Sequence, residues 1–203
     1  MSFRKILFCS FVMGFASIPF VSGAMLKNGS FEEQGQESDR AEHWSRWGDW
    51  INRECSWTPT RDGACLTGYH HWQIEGKGNS GIWQDVVGVE AGAQVTFSVY
   101  ANADRAEAGA QDFESVELRI ETTIHGEQSV VASRRWPADA IATGSDWSRL
   151  FITTTIPKNP VRVVVIVTPG QGEKPRGGAL KLDQAEIAVH SSEDRYPSPH
   201  AGQ

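Results

Sequence analysis

The chain has 203 residues, 39% of them hydrophobic and 22% charged, with a formal charge of −6. That length and apolar share carry one domain with a sizeable core and exclude wholesale disorder. The acidic balance excludes a general nucleic-acid binder, which needs a basic surface to displace counterions.

Residues 1–24 read as a secretory signal peptide. Arg4 and Lys5 form a basic start, residues 6–20 are mostly apolar, and Ser22, Gly23 and Ala24 supply the small residues of a cleavage site. The apolar run is short for a bilayer crossing, so no membrane span is expected, and the protein is expected to be secreted or periplasmic. Two cysteines then remain, Cys55 and Cys65. In an oxidising compartment their number and spacing predict a disulfide. A metal pair is the alternative, but no CxxC spacing supports zinc.

From residue 25 to residue 189 the apolar residues alternate with period two. Residues 94–101 place Val95, Phe97 and Val99 on one face and Thr96, Ser98 and Tyr100 on the other. Residues 115–121 set Val116, Leu118 and Ile120 against Glu117, Arg119 and Glu121. Residues 147–156 carry Leu150, Ile152, Thr154 and Ile156 in one phase, and residues 161–168 are β-branched almost throughout. In residues 180–189 the phase slips between Leu182 and Ala185, which predicts a β-bulge. Further strands are predicted at 25–31, 63–67, 81–87 and 128–134. About nine short strands between turn clusters predict an all-β sandwich or barrel. The Ala-rich stretch 103–110 lacks an apolar stripe and reads as a loop. Residues 190–203 are polar and read as a flexible C-terminal tail, leaving 25–189 as one domain.

Seven segments fall in a familiar order. They are Lys27-Asn28-Gly29-Ser30-Phe31-Glu32 with Trp44, Gly63-Ala64-Cys65-Leu66, Ile82-Trp83-Gln84-Asp85-Val86, Glu90-Ala91-Gly92, Thr96-Phe97-Ser98-Val99-Tyr100-Ala101, Asp146-Trp147-Ser148-Arg149-Leu150, and Leu182-Asp183-Gln184-Ala185-Glu186-Ile187. The series resembles the galactose-binding-like jelly rolls, in particular the carbohydrate-binding modules attached to bacterial xylanases and glucanases. The resemblance implies a two-sheet antiparallel β-sandwich, a jelly roll, that binds a polysaccharide or surface glycan without catalysis. It also implies a structural calcium ion (Ca2+) tying the first strand to the last, with Glu32, Asp62 and Asp183 at the matching positions. Calcium takes hard oxygen donors of this kind. The usual closing Asp pair of the resembled family is Asp183-Gln184 here. Trp83 and Trp147 match packing positions of the pattern, and Trp44 matches its half-buried first-loop Trp.

The remaining aromatics are unevenly placed. Trp47, Trp50, Trp57 and Trp72, with Tyr69, His70 and His71, concentrate in residues 45–60 and 67–76, which a Cys55–Cys65 bridge would tie together. Flat aromatics beside directional polar groups suit sugar rings. The expected ligand-binding residues are Trp47, Trp50, Tyr69, His71, Trp72, Tyr100, Glu117 and Arg119, the last three on an outward sheet face. The alternatives are a solvated sheet face with cross-strand ion pairs, an envelope or extracellular-matrix adhesion module meeting a cell-envelope protein, and a jelly-roll glycan hydrolase or lyase. No catalytic residue is assigned. Glu117 and Glu121 lie roughly 13 Å apart along one strand, too far for the pair at about 5 Å that a retaining glycosidase needs. No G-x-S-x-G or H-E-x-x-H occurs, so the chain is expected not to be an enzyme.

Overall fold

The computed structural model describes residues 26–48, 50–70, 78–105, 113–124, 126–170 and 178–190. Ten strands lie among them: β1 (Ser45–Trp47), β2 (Ile51–Glu54), β3 (Leu66–Tyr69), β4 (Ser80–Val86), β5 (Gln94–Arg105), β6 (Phe113–Ile124), β7 (Glu127–Pro137), β8 (Ser148–Thr155), β9 (Val161–Pro169) and β10 (Gly178–His190). They form two five-stranded sheets, the first in the order β1-β4-β9-β6-β7 and the second β2-β3-β10-β5-β8. Neighbouring strands are antiparallel throughout. The protein is thus an all-β, two-sheet antiparallel sandwich, a jelly roll.

The alternation decides which side of each strand is buried. Val95, Phe97 and Val99 from β5 meet Val116, Leu118 and Ile120 from β6 across the core, and all six are fully buried. Val163, Val165 and Val167 of β9 and Leu180 and Leu182 of β10 complete the two inner layers. The predicted phase slip is a bulge in β10 between Asp183 and Glu186, with Gln184 at φ +49°. It receives the first turn of the domain: Ala185 donates its N–H to the Gly29 carbonyl at 2.8 Å. Asn28, at φ +51°, fixes that turn, since its amide donates to the carbonyls of Glu33 and Glu42. Gln84 points inward from β4 and holds Lys27 by both its N–H and its carbonyl.

Four elements differ from the sequence expectation. β1 and β2 lie inside residues 45–60, where no strand is predicted. Each is only three or four residues long, too short for alternation to register, and each exists because a distant strand pairs with it. The described part of 25–31 is turn rather than strand, because Gly29 must approach β10. Ala103, Asp104 and Arg105 extend β5 instead of starting a loop. The signal segment, the tail, and the 71–77 stretch carrying His71 and Trp72 lie outside the described residues.

Candidate functional site

The two outer faces of the sandwich are built differently. A segment of the chain itself crosses the outer face of the second sheet. Cys55 and Cys65 are disulfide-bonded, and residues 55–65 loop between β2 and β3. Trp57 rests on Gly68 in β3, where a Cβ would lie 2.4 Å from the indole, so only glycine admits the ring. Arg61 stacks on the Tyr100 ring, 4.3 Å from its centroid. Lys181 is covered, with its Nζ on the Thr58 carbonyl and 2.8 Å from Asp104.

Two of the three carboxylates expected to hold calcium, Glu32 and Asp183, bind the backbone of this segment, and the third, Asp62, belongs to it. Glu32 Oε1 accepts the Ala64 and Cys65 N–H groups at 2.8 and 2.9 Å. Asp183 Oδ2 accepts those of Arg61 and Asp62 at 2.8 and 3.0 Å, and its Oδ1 accepts that of Gln184 at 2.7 Å. Burial raises the Asp183 carboxyl above its usual range, and these backbone hydrogen bonds counter the rise only in part. Its two oxygens face amide hydrogens rather than an open cage. Among the described residues no three His, Cys, Asp or Glu come together to hold a metal. As placed, the set does not fit calcium. Backbone amides make the tie between chain ends that an ion would make. A groove of about 370 Å³ lies alongside, lined by Ser30, Asp62, Tyr100, Gln184 and Glu186.

The outer face of the first sheet carries no such cover among the described residues. Cross-strand register sets its rows. One row reads Trp47, Gly81, Ile166, Glu117, Arg135 across β1, β4, β9, β6 and β7. The next reads Ser45, Trp83, Val164, Arg119, Ser133. A third holds Asp85, Arg162, Glu121 and Val130. Trp47 is 36% exposed, and its six-membered ring lies over Gly81, where a Cβ would sit 2.2 Å from the indole. Gly81 therefore leaves room for the indole on the sheet in the row of Ile166. Val164 and Ile166 face outward yet are only 4% and 6% exposed, so the large side chains flanking them lie over them.

The polar part of this face is an ion-pair cluster. Glu117 Oε1 accepts from Arg119 Nε at 2.5 Å and Oε2 from Arg135 Nη2 at 2.9 Å. Glu117 is 6% exposed. Burial pushes its carboxyl up, but hydrogen bonds and charge from the two guanidiniums together outweigh that and hold it below the usual range. Arg119 is correspondingly raised, first by its hydrogen bond to Glu117. Arg162 is paired with Asp85 at 2.7 and 3.1 Å and stands 3.6 Å over the Trp83 ring.

The structure brings together Trp47, Glu117 and Arg119 of the expected ligand-binding set. It separates them from Tyr100, which alternation puts on the outer face of the opposite sheet. Sequence alternation gives inward or outward for each strand but not which sheet a strand joins. Tyr69 is fully buried in the core, which takes it off any platform, and Trp50 is partly buried against the core. Trp83, expected to pack, is instead on the outer face, since its neighbour Gln84 turns inward to Lys27. Trp44 is in the core, with its ring 5.2 Å from Phe31 and its Nε1 on the Asn28 carbonyl. Arg135 and Gly81 carried no motif that marked them; only register does.

Known proteins share this architecture. TmCBM61, solved with β-1,4-galactotriose, superposes with a TM-score of 0.53 at 16% identity, over 81% of this chain and 97% of that one. A cyclase from Fischerella sp. TAU superposes at 0.57 with 12% identity, over 85% and 100%. The arabinose-bound arabinofuranosidase MgGH51 superposes at 0.56 with 12% identity, over 85% of this chain and 27% of that one. At such identities these likenesses show the fold alone, and two of the three, a cyclase and an arabinofuranosidase, are enzymes of different chemistries. No curated protein matches the chain. The family described as a carbohydrate binding domain, CBM_4_9, matches residues 23–176. A match over that much of the sandwich means that the chain belongs to the CBM_4_9 family of carbohydrate binding domains.

Proposed function

We propose that the protein is a non-catalytic, exported carbohydrate-binding protein whose ligand is a polysaccharide or surface glycan. It would lie across the outer face of the first sheet. One observation carries the placement: the Trp47 indole packs against Gly81, about a third exposed to solvent, in register with Ile166 and the Glu117–Arg135 pair. A sugar ring offers an apolar C–H face with a polar rim, and this row offers an aromatic plane followed by charged hydrogen-bonding groups. Trp83 and Arg119 in the adjacent row extend the surface. Strands are spaced about 4.8 Å apart, so Trp83 and Arg119 are separated by roughly 10 Å. That spacing fits a chain of sugars running across the strands rather than one ring in a pocket. The family assignment supports the sugar-binding role, and among the described residues of this face Asp85 and Glu117 are engaged by arginines.

The test is affinity electrophoresis against a panel of soluble polysaccharides, with a glycan array beside it. Retardation by at least one polymer is expected. Trp47→Ala should weaken it about tenfold, the cost of truncating an aromatic anchor, while the melting curve stays near that of the wild type. A folded protein that binds no polysaccharide overturns the proposal. Retention unaffected by Trp47→Ala moves the site off this face.

A further inference from the structure

We infer that this face is built for a saccharide that carries a carboxylate, a uronic acid unit, rather than for a wholly neutral chain. The inference rests on the proposed binding face and names the ligand class it takes.

The argument is a census of donors and acceptors. Three guanidiniums lie on the face, Arg119, Arg135 and Arg162, with three carboxylates, Asp85, Glu117 and Glu121. They are not evenly distributed. Arg162, Asp85 and Glu121 share one row, in which Arg162 pairs with Asp85, while the charge of Glu121 also acts on Arg119. Arg162 gives Nε and Nη2 to Asp85. Gln128, in the amide orientation that suits both neighbours, donates to Glu121 at 2.6 Å and accepts from Arg162 at 2.8 Å. The rows that carry Trp47 and Trp83 hold two guanidiniums against the single carboxylate of Glu117. Both Glu117 oxygens are taken, and the residue is buried beneath its partners. Arg119 uses only Nε, and Arg135 only Nη2. A guanidinium has five N–H donors and no acceptor. The other N–H groups of both arginines have no acceptor among the described residues, and their side chains are 32% and 57% exposed.

What this end of the face presents is therefore N–H donors in excess of acceptors. A neutral sugar hydroxyl is both donor and acceptor, so a site for it mixes the two kinds of group. A carboxylate only accepts, and the planar guanidinium fork matches it with two parallel bonds. Glu117 acts as a positioning residue: it holds two forks side by side and does not itself touch the ligand. The chain as a whole carries a formal charge of −6, so attraction of a polyanion has to come from a local group of guanidiniums. One uronate would sit on Arg119 and Arg135 while a neighbouring ring stacks toward Trp47.

The full chain is run in gels containing polygalacturonate, the same polymer after carboxyl reduction, or neutral β-1,4-galactan. Retardation by polygalacturonate is expected, weakening as salt is raised. The carboxyl-reduced polymer should bind about tenfold more weakly, the worth of a charge-assisted hydrogen-bond pair. Arg135→Gln should lose about the same factor on polygalacturonate, and Arg135→Lys, which keeps the charge but not the fork, should lose a good part of it. Both variants should stay folded, with Arg135→Gln melting slightly below the wild type because Glu117 Oε2 loses its partner. Equal binding of the intact and reduced polymers, or retention by the neutral galactan alone, overturns the uronate inference and leaves the sugar-binding reading standing. Polygalacturonate binding that ignores Arg135→Gln also overturns it. A folded protein that no polymer retards sinks both.

Discussion

Trp47 lies across the sheet only because position 81 has no side chain. Gly81→Val would put atoms where the indole now rests and force the ring up into solvent or sideways. The expected cost is about 1–3 kcal/mol of stability, typical of overpacking, together with loss of polysaccharide retention. Paired melting and gel-retardation measurements check it; a variant that still binds as well as the wild type would remove the Trp47 platform from the explanation. Glu117 is the second residue whose role is local and electrostatic. Its folded carboxyl is held below the ordinary range, so its contribution is fully present above that range and is lost as pH falls through the folded value. Glu117→Gln should therefore be less stable than the wild type at neutral pH by about 1–2 kcal/mol, a modest figure because Arg119 and Arg135 are partly screened by water. The gap should close in acid. Denaturant melts across the acid range measure it, and a gap independent of pH would mean that the ion pairs do not contribute. Residue chemistry of this kind was half legible. Glu117 and Arg119 were identified as outward by alternation, but their burial, and the partnership with Arg135, needed β7 beside β6.

Among the elements, residues 55–65 show how a loop without regular structure is held. The disulfide closes its ends, Trp57 seats on Gly68, and two carboxylates on opposite ends of the chain grip the 61–65 backbone. Asp183→Ala would leave three backbone N–H groups without their acceptor at a fully buried position. A loss of about 3 kcal/mol or more is expected, since each orphaned donor costs roughly 1–3 kcal/mol. Unfolding in denaturant would show it, and a change below experimental scatter would mean that solvent reaches these amides. The pH sign is opposite to that of Glu117. The Asp183 carboxyl is raised, so the native state pays for ionising it, and this part of the stability falls as pH rises from the ordinary carboxylate range through the folded value. The same element bears on the calcium expectation. With the carboxylate oxygens on backbone amides, melting midpoints with calcium and with a chelator are expected to coincide. A clear rise with calcium would restore the ion and require Asp62 to turn in beside Asp183.

For the molecule as a whole, the sequence determined the class of fold and most strand positions. Alternation separates buried from exposed faces by burial energetics alone, and the phase slip in residues 180–189 located the β10 bulge because one residue too many on a strand has no other outlet. The cysteine pair was equally readable, since its chemistry depends on number, spacing and compartment. Only the tertiary structure decided which strands share a sheet. That choice put Tyr100 on one outer face and Glu117 and Arg119 on the other, brought β1 and β2 into existence by pairing, and moved Trp83 from the expected packing role to the surface. The physical reason is that a strand's own period fixes the direction of its side chains but not the identity of its neighbours. A binding face is made of neighbours across strands, joined here from residues as far apart in the chain as Trp47 and Ile166.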